Sequence, residues 1–251
     1  MYTPKNDIDA NSSVTDIVAH DYRTAEVFRK HDIDFCCGGK WPLDIACKAK
    51  GLDTEEVLGE IRRIIRHTAS GIVLEFDQWN IDFLADYILN IHHRYLDKAL
   101  PDASDFVIRF LEGHRKKFPQ LAELEKIMQK MMREIPPHMR KEEEVIFPYI
   151  KQVYHAWRHR ESYASLLIRT LRKPVEEVMQ GEHETVGKQL QRIREITGHY
   201  ALPPDACVTH RVTYAKLQEL DNNLVQHIHL ENNILFPKAI AMEKELLIHK
   251  D

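Results

Sequence analysis

Two stretches of the chain carry the same residues at the same spacing. His138-x-x-x-Glu142 is followed by Phe147-Pro148 and His227-x-x-x-Glu231 by Phe236-Pro237, with nine residues from His to Phe in each copy. A lone His precedes each copy: His93 stands 45 residues before His138, and His183 stands 44 before His227. The halves are therefore offset by 90 and 89 residues, as a duplicated helical hairpin would be. On a helix, residues i and i+4 lie one above the other, so each His-x-x-x-Glu presents an imidazole and a carboxylate in one direction.

Both pairs point where the neighbouring apolar residues point. Buried without partners, such groups cost roughly several kcal/mol each, so a core holding four imidazoles and two carboxylates needs positive charge between them. A pair of divalent or trivalent cations supplies it. Imidazole with carboxylate suits iron, zinc or manganese rather than thiolate-seeking ions. Inward Glu and His are also the donors of dinuclear carboxylate bundles, although their usual order is Glu-x-x-His. One His-x-x-x-Glu alone reads equally well as a surface pair worth a few tenths of a kcal/mol. The repetition favours metal.

The elements that must position these residues are helices. Nine glycines in 251 residues, with no Asn-Gly or Asp-Gly between alternating apolar runs, argue against a β-rich fold. Apolar residues recur at three and four instead: Leu217, Leu220, Leu224, His227, Glu231 and Ile234 form one stripe, and Val175, Met179, His183, Val186, Leu190 and Ile193 a second. A third reads Ile135, His138, Glu142, Val145, Tyr149, and a fourth lies between about Asn80 and Leu100. Four such helices make a four-helix bundle. Pro136-Pro137 removes two amide donors and should kink or break the second helix just before His138.

The first seventy residues have a shorter rhythm. Ser13-Val14-Thr15-Asp16 can start a helix near Thr15, and Asp53-Thr54-Glu55-Glu56 has capping-box spacing and opens a helix to about His67. Thr68-Ala69-Ser70-Gly71 reads as a connection. The expected organisation is a small helical domain over 1–70, a linker at 71–77 and the bundle over 78–251.

Composition narrows the function. Thirty-five Lys and Arg against 39 Asp and Glu leave a net charge of −4, which does not point to nucleic acid. No run of eighteen apolar residues suggests a membrane span, and the polar, acidic N-terminus does not read as a secretory signal, so a cytoplasmic protein is expected. Four Cys are too few for a disulfide scaffold. Cys36 and Cys37 are adjacent, ahead of Gly38-Gly39. They read either as two small buried residues at a turn or as thiols that form a vicinal disulfide, bind a soft metal or react with nitric oxide. Cys47 and Cys207 read as ordinary thiols. His183-Glu184 is followed at the metalloprotease spacing by Gly187 rather than His, and no nucleophilic triad or phosphate-cradling loop is visible.

The bundle residues resemble a hemerythrin-type bundle. With Asp34-Phe35-Cys36-Cys37-Gly38-Gly39-Lys40 ahead of them, the whole chain resembles the repair-of-iron-centres family of di-iron proteins. The resemblance rests also on His138-Met139-Arg140-Lys141-Glu142-Glu143 and His227-Ile228-His229-Leu230-Glu231-Asn232-Asn233. It implies an all-α protein with two non-haem irons, joined by an oxo or hydroxo bridge. His93, His138, His183 and His227 would be terminal ligands, and Glu142 and Glu231 would bridge. It further implies repair of damaged iron–sulfur or other iron centres by iron donation, Cys36 and Cys37 as the reactive pair, and a homodimer. The alternative is a hemerythrin-like sensor or scavenger that binds or reduces nitric oxide or oxygen. Periodicity does not choose between His92 and His93; the family pattern favours His93. Glu143 and Glu144 are expected to be solvated, and His229, about 200° round the helix from His227, to lie on the surface.

Overall fold

Ser13 caps the first helix as its spacing suggests, its hydroxyl accepting from Asp16 N at 3.1 Å, and Asp53 caps the fourth by accepting from Glu56 N at 3.0 Å. The computed structural model describes residues 8–35, 39–66, 74–171 and 175–248. Within them the chain is all-α, apart from one isolated bridge between Ser13 and Pro42. The N-terminal part holds α1 (Val14–His20), α2 (Ala25–Lys30), α3 (Leu43–Ala49) and α4 (Thr54–Arg66). Cys36, Cys37 and Gly38 lie outside the described residues, as do 71–73 of the expected linker. Its last part is packed: Phe76 is buried against Tyr22, Trp79 and Tyr87.

Four rods form the bundle. The first runs through α5 (Ile81–Tyr87), a π turn (Ile88–His93) and α6 (Arg94–His114). The second joins α7 (Ala122–Lys141), a π turn (Glu142–Ile146) and α8 (Phe147–His159). After the short α9 (Ala164–Leu171), α10 (Val175–Thr197) is the third. The fourth comprises α11 (Val208–Leu230), a π turn (Glu231–Leu235) and α12 (Phe236–Ile248). Helices α6, α7, α10 and α11 pack in a closed ring, each on the next. The side chains of Val175 and Met179 lie outside those described; Val186, Leu190 and Ile193 face the core.

In the second rod the expected break is absent and one expected core position is exchanged. Helix α7 runs unbroken through Pro136 and Pro137 to Lys141. The carbonyls these prolines leave without an amide belong to Met132 and Arg133, on the half-buried and exposed side of the helix, where water can satisfy them. The irregularity comes one turn later. The π turn inserts a residue and rotates the remainder of the rod by about 100°, so Val145 is 38 % exposed and Ile146 takes the buried place.

Apolar packing is divided in two. One core joins α1–α4 to the bundle, bringing Val14, Phe28, Phe35 and Leu43 together with Leu96, Met139, Leu224 and Ile228. A second holds Leu84, Ile88, Ile146, Phe147, Leu235 and Phe236. Along the first, second and fourth rods, the candidate donors stand where one core gives way to the other.

Candidate metal centre

The π turns set the donors. His93 ends the first, Glu142 opens the second and Glu231 opens the third. Widened turns of this kind often mark functional positions in helices. His183 comes from the regular helix α10. All six residues singled out by the repeat and its preceding histidines converge, in two groups that share both carboxylates: His93, His227, Glu142 and Glu231; and His138, His183, Glu142 and Glu231. Within each group the ligand atoms lie within 4.8 Å of one another.

Each carboxylate divides its oxygens between the groups. Glu142 Oε2 is 3.5 Å from His93 Nε2 and its Oε1 is 3.2 Å from His138 Nε2. Glu231 Oε1 is 3.0 Å from His227 Nε2 and its Oε2 is 3.3 Å from His183 Nε2. The imidazoles meet in pairs, His93 Nε2 to His227 Nε2 at 3.1 Å and His138 Nε2 to His183 Nε2 at 3.0 Å.

The outer nitrogens of three of these rings are held. His93 Nδ1 donates to Glu143 at 3.0 Å, His138 Nδ1 to Glu182 at 2.6 Å and His183 Nδ1 to Asn232 at 2.7 Å. Such partners fix the tautomer and turn a lone pair inward. The Nε2 atoms of each facing pair crowd together at 3.1 and 3.0 Å, and both oxygens of Glu142 and of Glu231 are buried without a hydrogen-bond partner among the described residues. Cations between the rings and carboxylates resolve both problems, so the residues fit a two-metal site. His227 Nδ1 is buried with no partner among the described residues.

Without metal the site is electrostatically divided. Burial resists ionisation of both carboxyls. The adjacent His138 imidazole outweighs it at Glu142 and holds that group well below the usual range, whereas Glu231, buried beside the Glu142 charge, is pushed well above it. His138 rises to about 9 despite burial, because Glu142 lies against it. Burial and His227 lower His93 to about 4, and burial lowers His227 to about 3.

His92 is buried but outside both groups; its ring stacks on His227 at 5.8 Å and its Nδ1 is 3.3 Å from Asn223 Oδ1. Two expectations fail. Glu143 is only partly exposed, since it orients His93, while Glu144 is exposed. His229 is buried beneath the N-terminal part: its Nδ1 is 3.3 Å from Phe35 O, its ring meets Phe35 edge-on, and Asn233 Nδ2 is 3.1 Å away. Its helix is covered on two sides, by the bundle and by Phe35. The sequence assigns Glu182 and Asn232 no role of their own, since each reaches a histidine on another helix.

The model of the family described as Hemerythrin HHE cation binding domain matches residues 84–239, and that of Domain of Unknown function (DUF542) matches 10–64. The Iron-sulfur cluster repair protein YtfE of Citrobacter koseri is 32% identical over 224 residues, covering 88% of this chain and 93% of its own. Its counterparts in Escherichia coli O8 and K12 are 33% identical with the same coverage. Among the described residues no helix is long and apolar enough to cross a membrane.

Proposed function

The chain belongs to the hemerythrin HHE cation-binding family and, along most of its length, to the iron–sulfur cluster repair proteins, and on that premise we propose that it repairs damaged iron–sulfur proteins by donating iron from a di-iron site. His93, His138, His183 and His227 would hold two non-haem irons, with Glu142 and Glu231 bridging them. The observation that carries this reading is the division of each carboxylate between two inward-facing imidazole pairs. Four nitrogens and four oxygens are fewer donors than the roughly twelve that two six-coordinate ions take, which suits iron that is exchangeable and open to small molecules. Iron bound there supplies one-electron redox chemistry and an affinity for oxygen or nitric oxide. The residues of the chain do the rest: Glu143, Glu182 and Asn232 orient the ligands, and the two apolar cores keep water from the donor layer.

Cys36 and Cys37 are proposed as the thiols that meet the client or the leaving iron. In support, both ends of their segment are anchored. Phe35 is buried against His229, two residues from His227, and Gly39 O accepts from Thr15 N at 2.9 Å. A gas sensor would need only the bundle, yet the relatives match over both parts of the chain. The proposed clients are iron–sulfur proteins of the cytoplasm.

Metal analysis with visible and Mössbauer spectra should find about two coupled irons per chain, and the loaded protein should restore a client stripped of its cluster. Cys36→Ser with Cys37→Ser should abolish restoration and keep the spectrum. One zinc per chain, or no transfer of iron, would sink the proposal.

A further inference from the structure

At the other end of the bundle, a cysteine and two histidines meet that the metal centre does not use. His114 is the last residue of α6, and Cys207 is the N-cap of α11, its Sγ accepting from His210 N at 3.4 Å. Cys207 Sγ is also 3.3 Å from His114 Nε2. His114 Nδ1 is 2.9 Å from Phe110 O. A carbonyl only accepts, so Nδ1 carries the ring proton and Nε2 presents its lone pair to the sulfur. The ring is held by stacking on Phe110 at 4.8 Å and lies beside Phe118 at 6.4 Å.

This is a nucleophile, a base within its reach and a third group that orients the base, the arrangement that activates thiols in covalent catalysis. A backbone N–H at the start of a 23-residue helix also converges on the sulfur, where the helix field favours negative charge. His210 lies behind, its ring 4.6 Å from Phe110 and 4.3 Å from Tyr214; its Nε2 is buried without a partner among the described residues. The thiol itself is exposed. Along α11, twenty residues separate Cys207 from His227, or roughly 30 Å at helical rise. The pair is a site of its own.

We propose that Cys207, with His114 as its proton acceptor, is a peroxide-reactive thiol and thus an oxidative modification site. The thiol proton passes to His114 Nε2 while the sulfur attacks one oxygen of hydrogen peroxide. The S–O bond forms and the O–O bond breaks. The departing hydroxide takes the proton from His114 and leaves as water. Cys207 is oxidised by two electrons to the sulfenic acid, peroxide is reduced by two, and His114 is returned neutral.

The full-length, metal-loaded protein tests this by site-resolved mass spectrometry, which separates Cys207 from Cys36, Cys37 and Cys47. Iodoacetamide, which involves no oxidation, should alkylate Cys207 about threefold faster in the native protein than in urea. His114→Gln, with folding checked by circular dichroism, should lose most of that advantage. A short pulse of hydrogen peroxide with dimedone should place a sulfenic adduct on Cys207. Equal rates in native and unfolded protein, an unchanged rate in folded His114→Gln, or no adduct on Cys207 would each overturn the assignment. The comparison in urea needs no variant and decides the matter if His114→Gln does not fold.

Discussion

Acid should loosen the attachment of the N-terminal part to the bundle through His229. Burial holds this imidazole down to about 4, from an ordinary value of 6.5. Between those two values the unfolded chain binds a proton that the native chain refuses. The stability His229 contributes is therefore complete above pH 6.5 and is lost as the pH falls toward 4. One pH unit across that window corresponds to about 1.4 kcal/mol, so pH 5 removes about 2 kcal/mol. His229→Gln keeps an amide near Phe35 O but cannot titrate. Urea unfolding followed by circular dichroism, at pH 7.5 and pH 5.0, gives the loss for each protein. The other buried histidines titrate in both and cancel. The wild type should lose about 2 kcal/mol more than His229→Gln; equal losses would refute the reasoning.

Three further outcomes follow. Glu142 faces both imidazole pairs, so Glu142→Gln should leave no more than one metal per chain by elemental analysis, and metal should then protect the fold less. In the wild type, metal at a hundredfold excess over its dissociation constant contributes about 2.7 kcal/mol, and chelation should lower the melting temperature by roughly 5–10 °C; an unchanged melt would count against a filled site. At Gly39 a Cβ would stand 2.7 Å from Phe35 Cα and 2.8 Å from Thr15 Cγ2. Gly39→Ala should cost about 1–3 kcal/mol in urea unfolding, and a neutral result would show that the backbone yields there.

The donor set was legible because it is repeated. His138, Glu142, His227 and Glu231 announce one another, and the 90-residue offset picks out His183 together with His93. Helix caps at Ser13 and Asp53 were legible because capping is local. The features that escaped notice depend on register between helices: Glu182 serves His138 across α10 and α7, and His114 meets Cys207 from 93 residues away. Val145 and Ile146 exchanged places because the period of an α-helix does not foresee a widened turn. His229 was assigned to solvent on the angle around one helix, when its cover comes from Phe35, nearly two hundred residues away.

The donors lie as a polar septum between two dry cores. When cations fill it, they rivet the halves of the molecule together and unfolding is a single cooperative event. Stripped of them, the septum is a layer of buried charge that gains by hydration, and each core is free to melt at its own temperature. A protein that released such cations would thereby release its cooperativity in the same act.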